Sequence, residues 1–394
     1  MEKQRNRWLI LAAAIITNIS LGAGYMWSLF AGPLKAAHGW GDSISWAYSL
    51  AFAMVPVAMI IFGPVVDKNG GKKVTLLAGL LFGAGMLLTG FITSEVLLYV
   101  TYGLITGFGI GTGYGAATAT TVKWFPDKKG LAGGLTAAGF GSGALILTPI
   151  VQPMIDNLGI SRTFQIMGIA LGLLVIACSF LLEKAPAPKV AANAPAGSAD
   201  GKNYKEMMKE GKFWLLWTIY ALAATGGMML IGHAAGIVND YNLGNAATVI
   251  MLAAVANTAG RVFWGFVSDK IGRYLTVVVM FVVSGAGLLL LNFNQTLGAT
   301  AGVIGILLIY LSFGGFLGAF PGITAENWGV KNASTNYGWM FTAYGIAAIV
   351  GPQLGSIFKG MQGNFGMAFI ISTVMSVVGA ILMLTFMNSS KKKA

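Results

Sequence analysis

Long apolar stretches alternate with short polar ones along the whole chain. A membrane-crossing helix needs about 20 predominantly apolar residues, because the hydrocarbon core of a bilayer is about 30 Å thick. Twelve stretches meet this length, at residues 8–37, 44–66, 74–93, 96–121, 131–154, 162–182, 213–239, 245–267, 274–293, 298–323, 337–358 and 365–387. The pattern therefore predicts an all-α integral membrane protein with twelve transmembrane helices, which we number as spans 1–12.

The composition agrees with a membrane protein. Of the 394 residues, 56% are hydrophobic and 10% are charged, whereas a soluble domain has about 45–50% apolar and about 25% charged residues. The single cysteine, Cys178, excludes an intrachain disulfide and a cysteine-based metal site. We expect neither a metal ion nor a cofactor.

The charges predict the orientation. Lys and Arg number 25 against 13 Asp and Glu, a net charge of +12. If the N-terminus is cytoplasmic, most basic residues fall in cytoplasmic loops, and Lys35, Arg162 and Lys359 fall on the other side. This is the positive-inside pattern. It predicts a multi-pass protein of the cell (plasma or inner) membrane with cytoplasmic N- and C-termini. We see no clustered basic face of the kind that binds nucleic acid, so we expect no nucleic-acid partner.

A polar segment divides the chain into two similar parts. Residues 184–212 are rich in Ala, Pro, Gly and Lys and are typical of a cytoplasmic linker. They separate an N-terminal six-helix half, 1–183, from a C-terminal six-helix half, 213–394. Each half has a similar loop between its second and third spans, GPVVDKNGGKK at 63–73 and GFVSDKIGR at 265–273. A duplicated six-helix bundle is typical of transporters with a binding site near the bilayer midplane, between the halves.

These motifs resemble those of a known superfamily. The repeated loop, the twelve spans and the polar central loop resemble the major facilitator superfamily, over essentially the whole chain. The strings WFPDKKGLAGGLTAAG at 124–139 and FWGFVSDKIGR at 263–273 are similar to the oxalate/formate antiporter and monocarboxylate transporter families. The resemblance implies the major facilitator fold and transport of a small carboxylate anion by alternating access.

The repeated loops predict a conformational latch. A carboxylate at the end of span 2 can pair with basic residues of a neighbouring loop and with a helix N-terminus, and so hold one side of the transporter shut. The predicted latch residues are Asp67, Lys68 and Gly71, with Asp269, Lys270 and Arg273 in the second copy. Alternatively, these charges are solvated and only set the topology. The glycine-rich span 4 indicates close helix packing and does not match a phosphate-binding loop.

Arg261 is the basic residue that lies within a span. It is about 10 Å inside the predicted end of span 8, where a charged side chain is costly unless it faces a polar cavity and has a partner. All acidic residues fall in loops or near span ends, so the simplest partner is an anionic substrate, whose carboxylate suits the planar guanidinium. Alternatively, Arg261 extends its charge to the inner interface.

Other residues are predicted to complete the substrate site. Asn257 lies one helical turn from Arg261 on the same face of span 8, and the aromatic wall is predicted to consist of Tyr25, Tyr114, Phe341 and Tyr344. The resemblance implies that oxalate exchangers carry a second cation, a lysine, where this chain has Tyr344. One buried positive charge balances one negative charge, so a monocarboxylate is favoured over a dicarboxylate.

Proton coupling is predicted less directly. The animal-type monocarboxylate transporters that this chain resembles use a lysine in span 1 and an aspartate four residues before the span 8 arginine. Here the aspartate position holds Asn257, and residues 25–30 of span 1 contain no lysine. His233 in span 7 is the remaining candidate proton carrier, because histidine titrates near neutral pH. A packing role for His233, exchange and proton-free uniport remain open.

Together these features predict a secondary active transporter of small monocarboxylates such as lactate or pyruvate, coupled to a proton and functional as a monomer. The alternative is an organic anion exchanger of the oxalate/formate type. An anion receptor would need a sizeable signalling domain, which the chain lacks. An intramembrane enzyme is disfavoured because no nucleophile or metal-binding cluster is evident.

Overall fold

The computed structural model describes residues 6–125, 129–185, 201–329 and 332–391. Within these ranges every regular element is helical. Twelve helices are long and apolar enough to cross a membrane: Arg7–His38, Asp42–Val66, Lys72–Thr89, Glu95–Trp124, Ala132–Leu158, Ile160–Ser179, Gly211–Asp240, Ala246–Ser268, Arg273–Asn292, Ala299–Trp328, Thr335–Gln362 and Gly366–Asn388. The predicted twelve-helix membrane fold is confirmed, although span 10 continues to Trp328, beyond its predicted end at residue 323.

Two spans that the sequence predicts as continuous helices are interrupted. Span 1 consists of a helix over Arg7–Leu21, a tight 3₁₀ turn over Gly22–Met26 and a second helix over Trp27–His38. Span 11 consists of helices over Ala333–Met340 and Thr342–Gln362, with Phe341 between them. Irregular backbone at membrane depth is tolerated where it is buried in protein or lines a cavity. We therefore expect both interruptions to lie in the protein interior or beside a cavity.

Span 4 is also irregular, but it stays helical throughout. Its segment Tyr99–Thr106 is a π-helix, which passes into an α-helix over Gly107–Trp124. The glycines that follow contact neighbouring helices directly: a Cβ on Gly107 would lie 2.3 Å from the carbonyl oxygen of Ala51 in span 2. Small residues allow such close approach between membrane helices. The close packing supports the packing interpretation of this glycine-rich span.

The two halves, spans 1–6 and spans 7–12, meet mainly along two helix pairs, spans 2 and 11 and spans 5 and 8. We call the end of the bundle that carries Arg7, Gly71 and Gly211 the linker face, and the end that carries His38 and Gln362 the opposite face. Many large apolar side chains on the outside of the bundle are exposed, among them Leu173, Val282 and Val374. Such a surface suits a hydrocarbon environment.

The end of the linker is anchored to the C-terminal half. A short helix over Tyr204–Met208 is capped at Asn203, and the Tyr204 ring stacks on Trp339 of span 11 with the centroids 5.4 Å apart. Glu210, at the start of span 7, forms ion pairs. Burial tends to raise the pKa of Glu210, but hydrogen bonds from Lys202, Lys212 and Trp328 outweigh it and lower this pKa below its ordinary value. The domain boundaries predicted at 183/184 and 212/213 stay predictions, because residues 186–200 lie outside the described ranges.

Three further short elements complete the helices. They are a 3₁₀ turn over Asp42–Ile44 at the start of span 2, the first turn of span 4 over Glu95–Leu98, and a helix over Asn294–Leu297 between spans 9 and 10. The last of these shortens the opposite-face loop between spans 9 and 10. None of them enters the centre of the bundle, where the halves face each other.

Candidate functional site

A small cavity lies between the two halves. It is lined by Tyr25, Phe52, Val55, Tyr114 and Phe140 of the first half and by Arg261, Leu317, Phe341 and Tyr344 of the second. Its volume is about 10 Å³, room for about one water molecule. The structure therefore brings five of the six predicted substrate-binding residues together, in a conformation in which the cavity is nearly filled by its own walls.

Arg261 supplies the positive charge of this cavity. Its side chain is only 5% exposed, and Nη1 donates a hydrogen bond of 2.7 Å to the carbonyl oxygen of Ala137 in span 5. Nε and Nη2 have no hydrogen-bond partner among the described residues. These two nitrogens lie on one edge of the planar guanidinium, the edge that binds a carboxylate through two parallel hydrogen bonds.

The position of the guanidinium depends on a glycine in the opposite half. A Cβ on Gly141 of span 5 would lie 3.2 Å from Nε of Arg261 and 3.1 Å from the hydroxyl oxygen of Thr258. That spacing is tighter than ordinary van der Waals contact. The absence of a side chain at Gly141 thus allows span 8 to approach span 5 and lets Arg261 reach the Ala137 carbonyl.

No acidic side chain lines the cavity to neutralise Arg261. None of the following ion pairs includes Arg261, and all of them lie at the ends of the spans or in the loops: Lys35–Asp42, Lys202–Glu210, Lys212–Glu210, Arg273–Glu326 and Lys359–Asp240. The Tyr25 hydroxyl interacts electrostatically with the guanidinium but does not meet hydrogen-bond geometry with Nε or Nη2. A buried charge of this kind is costly without a partner, and an anionic ligand is the chemistry that completes it.

Aromatic rings form most of the cavity wall and link the halves across it. The hydroxyls of Tyr25 in span 1 and Tyr344 in span 11 are 3.2 Å apart, within hydrogen-bond distance. The Phe341 ring stacks on Tyr344 with the centroids 4.5 Å apart, and Tyr114 stacks more distantly on Phe341 at 6.2 Å. Tyr25 lies in the 3₁₀ turn of span 1 and Phe341 at the break in span 11, so both helix interruptions line the cavity.

Asn257 is placed differently from the other predicted residues. It is 1% exposed, and neither side-chain amide atom has a hydrogen-bond partner in the described part of the chain. It does not line the cavity. Span 8 is pressed against span 10 at this level, since a Cβ on Gly314 would lie 2.0 Å from the Asn257 carbonyl oxygen. The assignment of Asn257 to substrate binding stays a prediction.

His233 lies outside the cavity, at a second contact between the halves nearer the opposite face. Its Nε2 is 2.8 Å from the carbonyl oxygen of Pro352, and it is 3.3 Å from the hydroxyl of Ser356. Ser356 in turn donates to Ser45 of span 2 at 3.0 Å. The amide nitrogen of Gln353 lies 3.3 Å from the hydroxyls of both Ser45 and Ser49. We call these five residues, Ser45, Ser49, His233, Gln353 and Ser356, the opposite-face contact.

The predicted latch residues lie on the linker face. The side chains of Asp67 and Asp269 are outside what the structure describes. In the first copy, the Lys68 carbonyl accepts a hydrogen bond from Lys184 at 2.8 Å. Gly71 lies so close to span 4 that a Cβ would be 2.3 Å from the Thr120 hydroxyl oxygen.

The second copy of the loop is held by the C-terminal half. Arg273 pairs with Glu326 at the end of span 10, with 3.0 Å between Nε and the carboxylate oxygen. Lys270 lies over the Phe266 ring, 4.5 Å from its centroid. In both copies, these contacts are made with the same half or with the start of the linker. The latch role stays a prediction.

Sequence reasoning missed several residues of the site. Phe52, Val55, Phe140 and Leu317 line the cavity without having been predicted, because apolar side chains in spans carry no distinctive signal. Ser45, Ser49, Gln353 and Ser356 were also missed, since isolated polar residues are common in membrane helices. One available signal was the cluster of glycines around Gly141, which indicates close approach of another helix.

Comparisons with known proteins agree with the geometry. The family model described as Major Facilitator Superfamily matches residues 11–352 and 241–394. The chain is 32% identical over 386 residues to the oxalate:formate antiporter of Oxalobacter formigenes, covering 96% of this chain and 90% of that protein. It is 25% identical over 397 residues to human monocarboxylate transporter 11, covering 95% and 82% of the two chains.

A solved structure supports the fold alone. The xylose transporter XylE from E. coli, in a partially occluded inward-open conformation, superposes with a TM-score of 0.77 at 14% identity, covering 96% of this chain and 97% of that one. From the family match and the transporter relatives, the chain belongs to the major facilitator superfamily. It is a multi-pass membrane transporter and not an enzyme, as the sequence predicted.

Proposed function

We propose that this member of the major facilitator superfamily is a secondary active transporter of small monocarboxylates of the lactate and pyruvate type. The observation that carries the proposal is the free edge of Arg261. Nε and Nη2 are buried without a hydrogen-bond partner in the part of the chain that is described, beside a cavity between the halves. A carboxylate supplies both the missing acceptors and the missing negative charge.

The charge of the cavity favours a monoanion. Arg261 is the cation among the residues that line it, and Tyr344 occupies the position at which the resemblance implies a lysine in oxalate exchangers. A second carboxylate would be buried against aromatic rings without a partner, which is unfavourable. The hydroxyls of Tyr25, Tyr114 and Tyr344 offer hydrogen bonds to the bound carboxylate or to a 2-hydroxyl group.

The small size of the cavity is consistent with alternating access. At about 10 Å³ it is too small for lactate, so binding requires the walls contributed by the two halves to separate. In this proposal the halves rock about Arg261 and expose it to one side of the membrane at a time. A small anion lets the aromatic walls close again around it.

The proposal also covers the orientation of the protein in the membrane and the ion to which transport is coupled. The linker face is cytoplasmic in the cell membrane, because it carries most of the Lys and Arg residues. The co-transported ion is a proton, with His233 as its carrier. His233 hydrogen-bonds with Pro352 and Ser356 at the opposite-face contact, so a change in its protonation would alter a contact between the halves.

Exchange of oxalate and formate is a second candidate function. It is favoured by the 32% identity to a protein named oxalate:formate antiporter, over 96% of this chain. It differs from the first candidate in two measurable respects: the preferred substrate carries two carboxylates, and transport requires a counter-substrate inside the vesicle instead of a pH gradient.

One experiment tests both candidates. Purified protein in proteoliposomes is assayed for uptake of labelled lactate, pyruvate, acetate, formate and oxalate, with and without an inward acid gradient and with and without internal formate. We expect acid-driven uptake of monocarboxylates. Arg261→Gln should lower it at least about 30-fold, as the loss of about 2 kcal/mol of a buried charged contact predicts.

Matched variants separate charge from folding. Arg261→Lys keeps the charge but not the two-pronged edge and should retain only part of the uptake. Arg162→Gln, at an exposed position in span 6, should leave uptake unchanged. Preference for oxalate with internal formate would support the exchanger and contradict the monoanion argument. Full uptake by Arg261→Gln would remove Arg261 from the site.

A further inference from the structure

A second and much larger space lies on the outside of the bundle, where the two halves meet. This groove has a volume of about 470 Å³ and runs between span 2 of the first half and spans 7 and 11 of the second. Its lining includes Val57, Trp214, Trp217, Trp339 and Ile346. Val57, Trp214 and Ile346 are 39%, 49% and 45% exposed, so the groove opens towards the surrounding membrane. The volume is within the range of about 300–1,000 Å³ that is usual for small-molecule sites.

The groove is separate from the central cavity. Val55 and Tyr344 line the cavity, whereas their neighbours Pro56 and Gly345 line the groove. A Cβ on Gly345 would lie 2.8 Å from Cγ of Pro56. The close contact of spans 2 and 11 is therefore a thin wall between the two spaces, and an occupant of the groove bears directly on the helices that close the cavity.

The lining of the groove matches an apolar chain. Two of its tryptophan ring nitrogens are already engaged: that of Trp217 donates to the Thr342 hydroxyl at 2.8 Å, and that of Trp214 donates to the Met208 carbonyl at 2.9 Å. The remaining lining is aliphatic, aromatic or thioether. Tryptophan is enriched where a membrane protein crosses the lipid headgroup level, so the linker-face end of the groove lies near the headgroups and the rest extends into the hydrocarbon.

Two lysines lie at the linker-face end of the groove. Lys205 is three residues before the groove residue Met208, on the same side of the short helix. Its Nζ lies 6.0 Å from the centroid of the Tyr204 ring, which stacks on the groove residue Trp339. Lys209 follows at the end of the helix. Both lysines are exposed, and neither has an ion pair with a described residue.

The neighbouring charges do not compete for this position. Lys202 and Lys212 are paired with Glu210. The Glu206 carboxylate accepts a hydrogen bond from the backbone N–H of Asn203 at 2.8 Å, as part of the helix cap. Two lysines that have no ion pair among the described residues, beside an apolar groove, are an arrangement that suits an anionic lipid headgroup.

We propose that the groove binds one anionic glycerophospholipid, with an acyl chain between spans 2, 7 and 11 and the phosphate at Lys205 and Lys209. Because the walls of the groove belong to both halves, the bound lipid favours the closed arrangement seen here over one in which the halves have separated. The proposal depends on the membrane setting and on no particular transported substrate.

Photo-crosslinking tests the proposal. Phosphatidylglycerol and phosphatidylcholine that carry the same diazirine acyl chain are each incorporated into phosphatidylcholine vesicles containing the full-length protein, and the cross-linked peptides are mapped by mass spectrometry. We expect the phosphatidylglycerol probe to label residues 53–57 and 214–217 at least about fivefold more than the phosphatidylcholine probe. Ile346→Trp, which fills the groove, should lower this labelling several-fold.

Two controls make the result specific. Ile357→Trp changes a residue of span 11 that is 55% exposed and lies outside the groove, and it should leave the labelling unchanged. The double variant Lys205→Gln and Lys209→Gln should abolish the preference for phosphatidylglycerol, whereas Lys73→Gln on the same face should not.

Equal labelling by the two headgroups would overturn the proposal. So would labelling spread over all lipid-facing spans, or labelling that Ile346→Trp does not reduce. Because cross-linking does not measure transport, a failure of the proposed substrate would leave this result unaffected.

Discussion

The halves of this transporter meet at two levels that differ in how their polar groups are satisfied. At the opposite-face contact, Gln353 and Ser356 of span 11 each donate a hydrogen bond to the Ser45 hydroxyl of span 2. In the central cavity, the Nε and Nη2 atoms of Arg261 have no partner among the described residues. The polar links across the halves there include the Tyr25 and Tyr344 hydroxyls and the bond from Arg261 Nη1 to the Ala137 carbonyl.

This difference suggests that two sets of residues serve two purposes: the opposite-face contact holds the halves together, and the central cavity binds the anion. Buried polar groups in proteins are normally paired, and each hydrogen bond contributes a net of about 0.5–1.5 kcal/mol. The hydrogen bonds of the opposite-face contact therefore add a modest stabilisation to the packing of span 2 against span 11. The unpaired edge of Arg261 makes no hydrogen bond between the halves among the described residues. In the proposed function, a bound carboxylate completes this edge and so favours the closed state.

The strongest test of this comparison adds a second cation to the centre. Tyr344→Lys places an ammonium in the cavity wall. The native Tyr344 side chain at this position is only 2% exposed. Two cations favour a dianion, so we expect the ratio of oxalate to lactate affinity to rise at least about tenfold, the factor that about 1.4 kcal/mol gives. The measurement is competition of each anion against labelled lactate in proteoliposomes.

Two controls accompany Tyr344→Lys. Tyr344→Met has a side chain of similar length without charge, and Tyr344→Phe loses only the hydroxyl that meets Tyr25. Neither should raise the preference for oxalate. If the lysine variant binds and its selectivity equals that of Tyr344→Met, the charge of the cavity does not decide substrate class, and the monoanion argument fails.

A smaller effect is expected when the titratable group of the opposite-face contact is removed. His233→Gln retains a donor for the Pro352 carbonyl, 2.8 Å from Nε2 in the native structure, but it cannot take up a proton near neutral pH. We expect lactate accumulation driven by an acid gradient to fall several-fold, while exchange of labelled for unlabelled lactate stays within about twofold of wild type. Both are measured in the same vesicles.

The other histidine provides the matched control. His38 lies at the end of span 1, with its ring stacked on Trp40 at 4.2 Å, and His38→Gln should change neither measurement. Undiminished acid-driven accumulation by His233→Gln would end the proton role of His233. Equal loss of accumulation and exchange would instead assign His233 to the mechanics of the contact.

Much of this architecture could be predicted from the sequence. The twelve spans follow from long apolar stretches, because the membrane imposes a length and a composition on each helix. Arg261 also stood out, since a charge inside a span is rare and needs a reason. Its aromatic surroundings were predicted in part: Tyr25, Tyr114, Phe341 and Tyr344 line the cavity with it.

The remaining features depend on contacts between distant parts of the chain. Phe140 and Phe52 line the cavity because spans 5 and 2 turn those faces towards Arg261, which no local pattern encodes. The pairing of Ser45 with Ser356 joins the two halves across 311 positions of sequence. The helix interruptions at Gly22–Met26 and at Phe341 were also missed, because tertiary packing overrides local helix propensity there.

The smallest expected effect concerns the linker face, where the proposed latch would form the counterpart of the opposite-face contact. Asp67→Asn keeps the size of the side chain and removes its charge, so the ion pairing that the latch hypothesis predicts would weaken by up to about 1 kcal/mol. We expect maximal lactate exchange to change by up to about fivefold, with KM nearly constant because the central site is untouched. Asp156→Asn, on the opposite face, is the control. A change in KM at constant maximal rate would place Asp67 in substrate binding and contradict the separation of closing from binding.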